Sequence, residues 1–439
     1  MSFPAYPQYK DSGVSWAKSI PSHWGELRLA ALFELQKREV QPDHEVVTAF
    51  RDGQVTLRSN RREDGFMFAT KEIGYQGVAV GDLVIHAMDA FAGAIGVSDS
   101  SGKSTPVYSV CMPKSEVDAR FYALLLRTMA LSGFVESLAK GVRERSTDFR
   151  WRDARDVRVP VPPFSEQRAI VAFIEGETAK IDAAVAAQER LIALLAEKRA
   201  ATISHAVTKG LDPDAPTKDS GIEWLGQIPA HWSTPAISHV CNEIGSGTTP
   251  STNDEQAYGG EVCWVTTGEL RETGIYSTRK RLTEAALANY SALRKFPPGT
   301  LLIAMYGATI GRLGWLECEA ATNQACCAMQ TSEPYLSRFL FYVLQGGKSA
   351  LILLGSGGGQ PNISQEKVRQ FRFALPPHEE LESILNHLDS ACSQIDGLHA
   401  KALSSIRLLK ERRAALISAA VTGKIDVRRE VKAQEQEAA

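Results

Sequence analysis

The sequence predicts an α+β protein built as an internal repeat: two globular α+β domains separated by a pair of long antiparallel coiled-coil-like helices, with internal pseudo-twofold symmetry. Three observations carry this expectation. Lys10–Trp24 (K-D-S-G-V-S-W-A-K-S-I-P-S-H-W) and Lys218–Trp232 (K-D-S-G-I-E-W-L-G-Q-I-P-A-H-W) agree at nine of fifteen positions. Glu197–Asp212 (E-K-R-A-A-T-I-S-H-A-V-T-K-G-L-D) returns as Glu411–Asp426 (E-R-R-A-A-L-I-S-A-A-V-T-G-K-I-D), at an offset of 214 against 208 for the first pair. Two proline pairs, Pro162-Pro163 and Pro376-Pro377, each open a long stretch without internal proline whose apolar residues recur at threes and fours. A period above 200 residues is far too long for a solenoid or propeller repeat, so each copy is a complete domain plus a connecting element.

The elements follow in order. Residues 1–161 are expected to form the first globular domain, with the repeated element at 10–24. β-leaning runs at 74–88, 92–97 and 106–112, broken by turn signals, lead to a helix over Arg120–Ala139. Residues 162–212 hold the first spacer helix, running from about Ser165, its expected cap, to Lys209. Residues 213–375 comprise a Pro/Gly-rich linker, the second repeated element and a second domain in which the same order of events recurs. Its runs lie at 261–267, 297–306 and 325–330, followed by a helix near Tyr335–Leu354. Residues 376–427 hold the second spacer helix, and 428–439 form a polar tail expected to fray. The seam of the spacers is expected at Ile181, Leu191, Leu195 and Ile203 on one helix and Ile395, Ile406, Leu409 and Ile417 on the other. A helix of roughly 45 residues makes a rod of about 65 Å. Pairing the two antiparallel would place one domain at each end, a dumbbell.

Composition bounds the function. The 439 residues are 44% hydrophobic and 23% charged, ordinary values for a globular protein. The N-terminus lacks the pattern of a secretory signal and no run reaches the roughly 18 apolar residues of a membrane span, so a cytoplasmic protein without a membrane partner is expected. Seven cysteines show no C-x-x-C pair and no zinc spacing, which reads as reduced, mostly buried thiols and no metal site. Net charge is −2; residues 26–160 carry 19 basic and 19 acidic residues and 233–375 carry 12 and 11, so any DNA surface must come from local clustering.

No catalytic constellation emerges. Val161-Pro162-Pro163-Phe164 resembles a base-holding methyltransferase element but lacks its amide or carboxylate, and two prolines opening a helix explain it. The glycine loops at 245–247 and 355–359 belong to no dinucleotide or phosphate-loop fingerprint. His23 and His231, in the repeated I-P-x-H-W, have no recurring triad partner and read as packing residues. The basic clusters are more suggestive. Arg58, Arg61, Arg62 and Lys71 fall in a turn-rich region of the first domain, and Arg143, Arg145 and Arg150 follow its helix; Arg271, Arg279, Lys280 and Arg281 cluster in the second. Solvated surface is the usual fate of such runs, yet phosphate and guanine contacts require these residue types on loops. Thr248, Thr249 and Ser251, with Gln360 and Asn362, could add base-edge contacts.

The repeated K-D-S-G-[VI]-x-W-x(3)-I-P-x-H-W, the P-P-x(2)-E-Q opening at Pro162–Gln167 and the helix ending K-R-A-A-T-I-S-H-A-V-T-K-G together resemble the specificity subunit of type I restriction–modification systems. So do Ile244–Ser251 (I-G-S-G-T-T-P-S) and Gly357–Ser364 (G-G-G-Q-P-N-I-S). The resemblance implies a non-catalytic reader of double-stranded DNA whose two target recognition domains each recognise one half of a split sequence. The helices would set the gap and dock two modification subunits and, through them, restriction subunits. S-adenosylmethionine, ATP and Mg²⁺ would then belong to those partners, with no cofactor bound by this chain. The competing readings are the specificity region of a fused restriction enzyme, a methyltransferase in its own right, and a coiled-coil scaffold with duplicated protein- or carbohydrate-binding domains. The copies also differ: Glu166-Gln167 becomes Glu380-Leu381, and the first copy has Gly141–Trp151 where the second has its glycine-rich loop.

Overall fold

In a computed structural model, which describes residues 3–14, 16–61, 73–138, 148–355 and 362–428, both repeated elements fold into the same hairpin. Tyr9–Asp11 pairs with Ser19–Pro21, and Thr217–Asp219 with Gln227–Pro229, antiparallel and in the same register, Lys10 opposite Ile20 and Lys218 opposite Ile228. The repeated letters have physical reasons. Each lysine ammonium donates to the backbone carbonyl of the repeated tryptophan, Lys10 to Trp24 and Lys218 to Trp232 at 2.6 Å. The isoleucines and both tryptophans are buried.

The chain forms two compact units, residues 1–188 with 404–439, and residues 189–403. In the first, Phe33–Leu35, Tyr108–Pro113, Leu83–His86 and Ile95–Val97 lie side by side in that order as an antiparallel sheet. In the second, Cys241–Gly245, Cys326–Thr331, Leu301–Ala304 and Leu313–Leu316 repeat that order, and Gly274–Ile275 adds a parallel edge strand. The two α+β domains are therefore divergent copies of one topology. Each also closes in the same way: Gly25–Arg28 pairs with Arg158–Val161, and Ser233 pairs with Leu375.

Glycine punctuates both domains more sharply than periodicity suggests. The helix expected over Arg120–Ala139 stops at Leu131, because Gly133 adopts a φ of 82°, and a short helix, Phe134–Leu138, follows. The second copy breaks likewise, into Pro334–Gly346 and Lys348–Leu353. At the break, a Cβ on Gly347 would come within 2.9 Å of the Phe371 ring.

The spacer helices span Phe164–Lys209 and His378–Val421, and each contributes one half to each unit. The first begins one residue ahead of Ser165. The Pro163 carbonyl already accepts from the Glu166 and Gln167 amides, so it, rather than the serine, starts the hydrogen-bond ladder. Within each unit the two halves run antiparallel. Asp182 pairs with Arg413 at 3.2 Å in the first unit, and Asp396 with Arg199 at 2.6 Å in the second; both aspartates and both arginines are 214 residues apart, so one contact is made twice. Ile181, Leu195, Ile203, Ile395 and Ile406 are buried as the seam requires. Leu409 and Ile417 pack half-buried on the first unit's core. Leu191 departs from the expectation and is 39% exposed.

All seven cysteines carry free thiols, five of them buried. Burial pushes the Cys241 and Cys327 thiols up to about 12, which leaves them protonated and poorly nucleophilic.

Candidate nucleic-acid interface

The first domain carries a cleft of about 570 Å³ lined by Lys37, Arg38, Arg150, Arg152 and Arg155 and, among the described residues, by no carboxylate. Two distant stretches build it. Lys37 and Arg38 follow the edge strand Phe33–Leu35, while the arginines ride on the short helix Trp151–Ala154. That helix is tied to the central strand because the Trp151 amide donates to Ser109 Oγ at 3.1 Å, and Phe149 before it is buried. Arg38 is a wall rather than a contact, since both its terminal nitrogens bond the buried carboxylate of Asp82. Asp148 divides itself between Arg150 (2.6 Å) and Arg152 (3.0 Å), and Arg152 also pairs with Asp153 at 3.3 Å, so these two arginines are matched by two carboxylates. Lys37 and Arg155 are exposed and have no side-chain partner among the described residues. Cations unopposed by carboxylates favour phosphate. Tyr75, Trp151 and Tyr108 add aromatic faces, and Gln36 and Gln76 add neutral donors and acceptors. Burial raises the Tyr108 hydroxyl above its ordinary range, keeping it protonated.

The second domain carries a groove of about 740 Å³ that brings together Arg271, Arg279 and Lys280 beside Tyr276, a residue 74% exposed. Glu269, the one lining carboxylate among the described residues, is committed to a capping box in which it accepts from the Thr266 amide at 2.9 Å. Thr278 holds the turn by accepting from the Trp264 amide at 3.0 Å and donating to the Lys280 carbonyl at 2.6 Å. Arg279 and Lys280 are thereby presented to solvent without side-chain partners among the described residues. Arg281 lies outside the groove, on the strand Arg281–Leu282, and pairs with Glu261 at 3.2 Å.

The remaining expected residues are distributed differently. Gly247 donates to Thr322 Oγ1 at 2.9 Å, and a Cβ there would lie 1.8 Å from the Thr322 carbonyl oxygen, which explains the glycine of I-G-S-G. This pins the loop that carries Thr248, Thr249 and Ser251. Thr249 donates to Gln324 at 2.6 Å, the Thr248 carbonyl accepts from the Trp264 indole, and the Ser251 amide donates to the Tyr290 hydroxyl. Gln365 reaches the same loop, donating to the Ile244 carbonyl and accepting from Ser246, while exposed Asn362 pairs with Tyr306. Neither Arg58 nor Arg61 lines the first cleft. Arg58 is half-buried and donates to Thr48 at 3.4 Å; Arg61 pairs with Asp52 at 2.7 Å and lies over the Phe50 ring. Arg62, Lys71, Arg143, Arg145 and Gln360 lie outside the described residues. Sequence reading missed Lys37, Arg155, Tyr75 and Gln76. No run advertises them, because pairing of strands far apart in the chain creates the cluster.

Both repeated histidines have the packing role. His23 Nε2 lies 2.9 Å from Glu166 Oε2 and the Trp24 indole donates to Glu166 Oε1 at 3.1 Å. His231 and Trp232 meet Glu380 at 2.7 and 3.0 Å. Each hairpin thus fastens the first turn of a spacer helix. In the first unit Tyr6 also donates to Glu166, and burial together with that carboxylate raises the tyrosine's pKa above its ordinary range.

Residues 229–407 match the family described as type I restriction modification DNA specificity domain. The chain is 28% identical over 165 residues to the type I restriction enzyme MjaIX specificity subunit of Methanocaldococcus jannaschii, an alignment covering 36% of this chain and 38% of that protein. It is 31% identical over 132 residues to the EcoBI specificity subunit of Escherichia coli, covering 29% of this chain and 27% of the other. These alignments thus span well under half of either relative's own length. Among solved structures, the HsdS subunit from Thermoanaerobacter tengcongensis shares the fold at a TM-score of 0.55 and 16% identity, over 92% of this chain and 98% of that one. A chain from a structural study of complex assembly in the type I R-M system does so at 0.69 and 17%, over 92% and 99%. The match to the specificity domain thus lies in the second half of the chain, over 179 of its 439 residues, while the fold is shared with these two solved chains along nearly its whole length.

Proposed function

We propose that the chain is the non-catalytic DNA-specificity subunit of a type I restriction–modification complex, in which each globular domain reads one half of a bipartite target. The observation that carries this reading is that each domain holds a cationic cleft whose outermost cations have no carboxylate partner among the described residues: Lys37 and Arg155 in one, Arg279 and Lys280 in the other. Such clefts supply phosphate contacts that orient a reader on a duplex. The spacer helices, 46 and 44 residues long and so about 65–70 Å, set the gap between half-sites. They also dock two modification subunits, which in turn carry the restriction subunits. Leu191, Leu194, Leu398 and Leu403, all 39% exposed or more in the second unit, support such docking, because exposed leucines on paired helices suit a protein interface. S-adenosylmethionine, ATP and Mg²⁺ chemistry is assigned to those partners.

The test is selection from randomised duplex DNA by the chain together with its modification partner, over a range of salt. A bipartite motif is expected, and the pair Lys37→Glu with Arg155→Glu should erase one half of it while Arg279→Glu with Lys280→Glu erases the other. A motif indifferent to both pairs would overturn the reading. Binding of radiolabelled S-adenosylmethionine by the isolated chain would instead favour a methyltransferase in its own right.

A further inference from the structure

Phosphate contacts orient a protein on DNA but carry no sequence information, so a cleft walled by cations needs a neutral reader to be specific. In the first cleft the neutral side chains able both to donate and to accept twice are Gln36 and Gln76. They are held very differently. Gln76 Nε2 donates to the Tyr108 carbonyl at 2.7 Å, whereas among the described residues the Gln36 side chain makes only a 3.3 Å donation to the Glu34 carbonyl, two residues back.

The Tyr108 contact orients the amide, because a carbonyl acceptor forces the nitrogen inward. The oxygen Oε1 and the second N–H have no partner among the described residues. The platform beneath is rigid: Gln76 pairs with Ser104 across a two-stranded sheet, the Tyr108 amide donates to Thr105, and the Tyr108 ring packs edge-on against His86 at 4.6 Å. Ordering this side chain therefore costs little at the moment of binding. One acceptor and one donor, fixed side by side, match the N6 donor and N7 acceptor of adenine in the major groove. Guanine would set its O6 acceptor against Oε1.

We propose that Gln76 is a specificity-determining residue of the first domain, selecting adenine at one position of one half-site while the surrounding cations hold the backbone. This rests on the DNA-reading function proposed above. The test uses the full chain with its modification partner on a library randomised through both half-sites, comparing wild type, Gln76→Met, Gln76→Ala and Arg155→Ala. Methionine keeps the length of the side chain without its hydrogen bonds, so it guards against a mere cavity effect. The wild type is expected to require adenine at one position. Both Gln76 variants should lose that preference roughly ten- to a hundredfold there and leave the other half-site intact, whereas Arg155→Ala should weaken all sequences alike and flatten the salt dependence. Full retention of the adenine preference by Gln76→Met, or its loss at every position of the half-site together, overturns the assignment. A wild-type protein that selects no bipartite motif overturns the underlying DNA-reading function instead.

Discussion

Glu166 shows how a single side chain converts repeated letters into structure. It is 5% exposed and gathers Tyr6, His23 and Trp24 onto the first turn of a helix, whose N-terminus also favours a carboxylate. Removing it strands buried donors, each costing about 1–3 kcal/mol. Glu166→Ala should therefore lower stability by roughly 2–4 kcal/mol, and Glu380→Ala by less, since Glu380 is 28% exposed. Urea unfolding of the two variants is the check, and equal losses would count against this account. His86 offers a pH-dependent counterpart. Burial lowers its pKa below 6.5 despite the nearby Asp89, and the Asp89 amide donates to its Nδ1, favouring the neutral ring. The unfolded chain then binds the proton more readily, so stability is full above pH 6.5 and declines as pH falls below it toward the lower folded value. Unfolding midpoints between pH 7 and 5 should show this decline, and His86→Gln should reduce it. None of these residue-level contacts was legible in the sequence beyond the packing role of the histidines. Glu166 lies 143 residues from His23, and no local pattern links them.

Elements were the most legible level. The spacer helices follow from proline placement and apolar period: the first spans Phe164–Lys209 against an expected Ser165–Lys209, and the second starts directly after its proline pair at His378 but ends at Val421, short of the expected 427, where Gly423 adopts a φ of 70°. Periodicity overran at the domain helices because it counts apolar positions and is blind to the backbone. Gly133 and Gly347, also 214 residues apart, end both helices. Leu191 misled in the opposite direction, since an apolar residue at helical spacing can face solvent or a partner as well as the seam. The spacer helix also yields a test of the proposed ruler. Inserting four residues near Ala186 adds about one turn and should change the preferred gap, leaving both half-site sequences unaltered. A randomised-gap methylation footprint with unchanged spacing would refute it.

At the scale of the whole molecule, the compact units cut through the spacer helices instead of coinciding with sequence blocks. The first unit gathers both chain ends: Tyr9 donates to the Gly423 carbonyl at 3.1 Å, the Asp426 amide to Pro4, and Arg428 lies over the Tyr6 ring. Each globular domain also begins and ends at one spot, where Ser233 and Leu375 exchange two backbone hydrogen bonds in the second copy. A module with adjacent ends can be exchanged without disturbing the hairpin or the helices. Replacing Ser233–Leu375 with the equivalent segment of a relative should accordingly change one half-site only, as read by sequencing of methylated DNA. Changes in both halves would show that the domains do not read independently.

The sequence alone determined the duplication, the two α+β domains and the two long helices, because these rest on local information: identity at a fixed offset, a 3.6-residue period and proline stops. The tertiary structure alone decided which charges act together. Lys37 and Arg155 are more than a hundred residues apart and share a cleft only because Phe33–Leu35 pairs with Tyr108–Pro113 and Ser109 anchors the helix at Trp151. Arg58 and Arg61, the obvious basic run, turn instead to Thr48, Asp52 and Phe50. A cation is available to an external anion only when folding leaves it without an internal one, and that depends on partners distant in the chain.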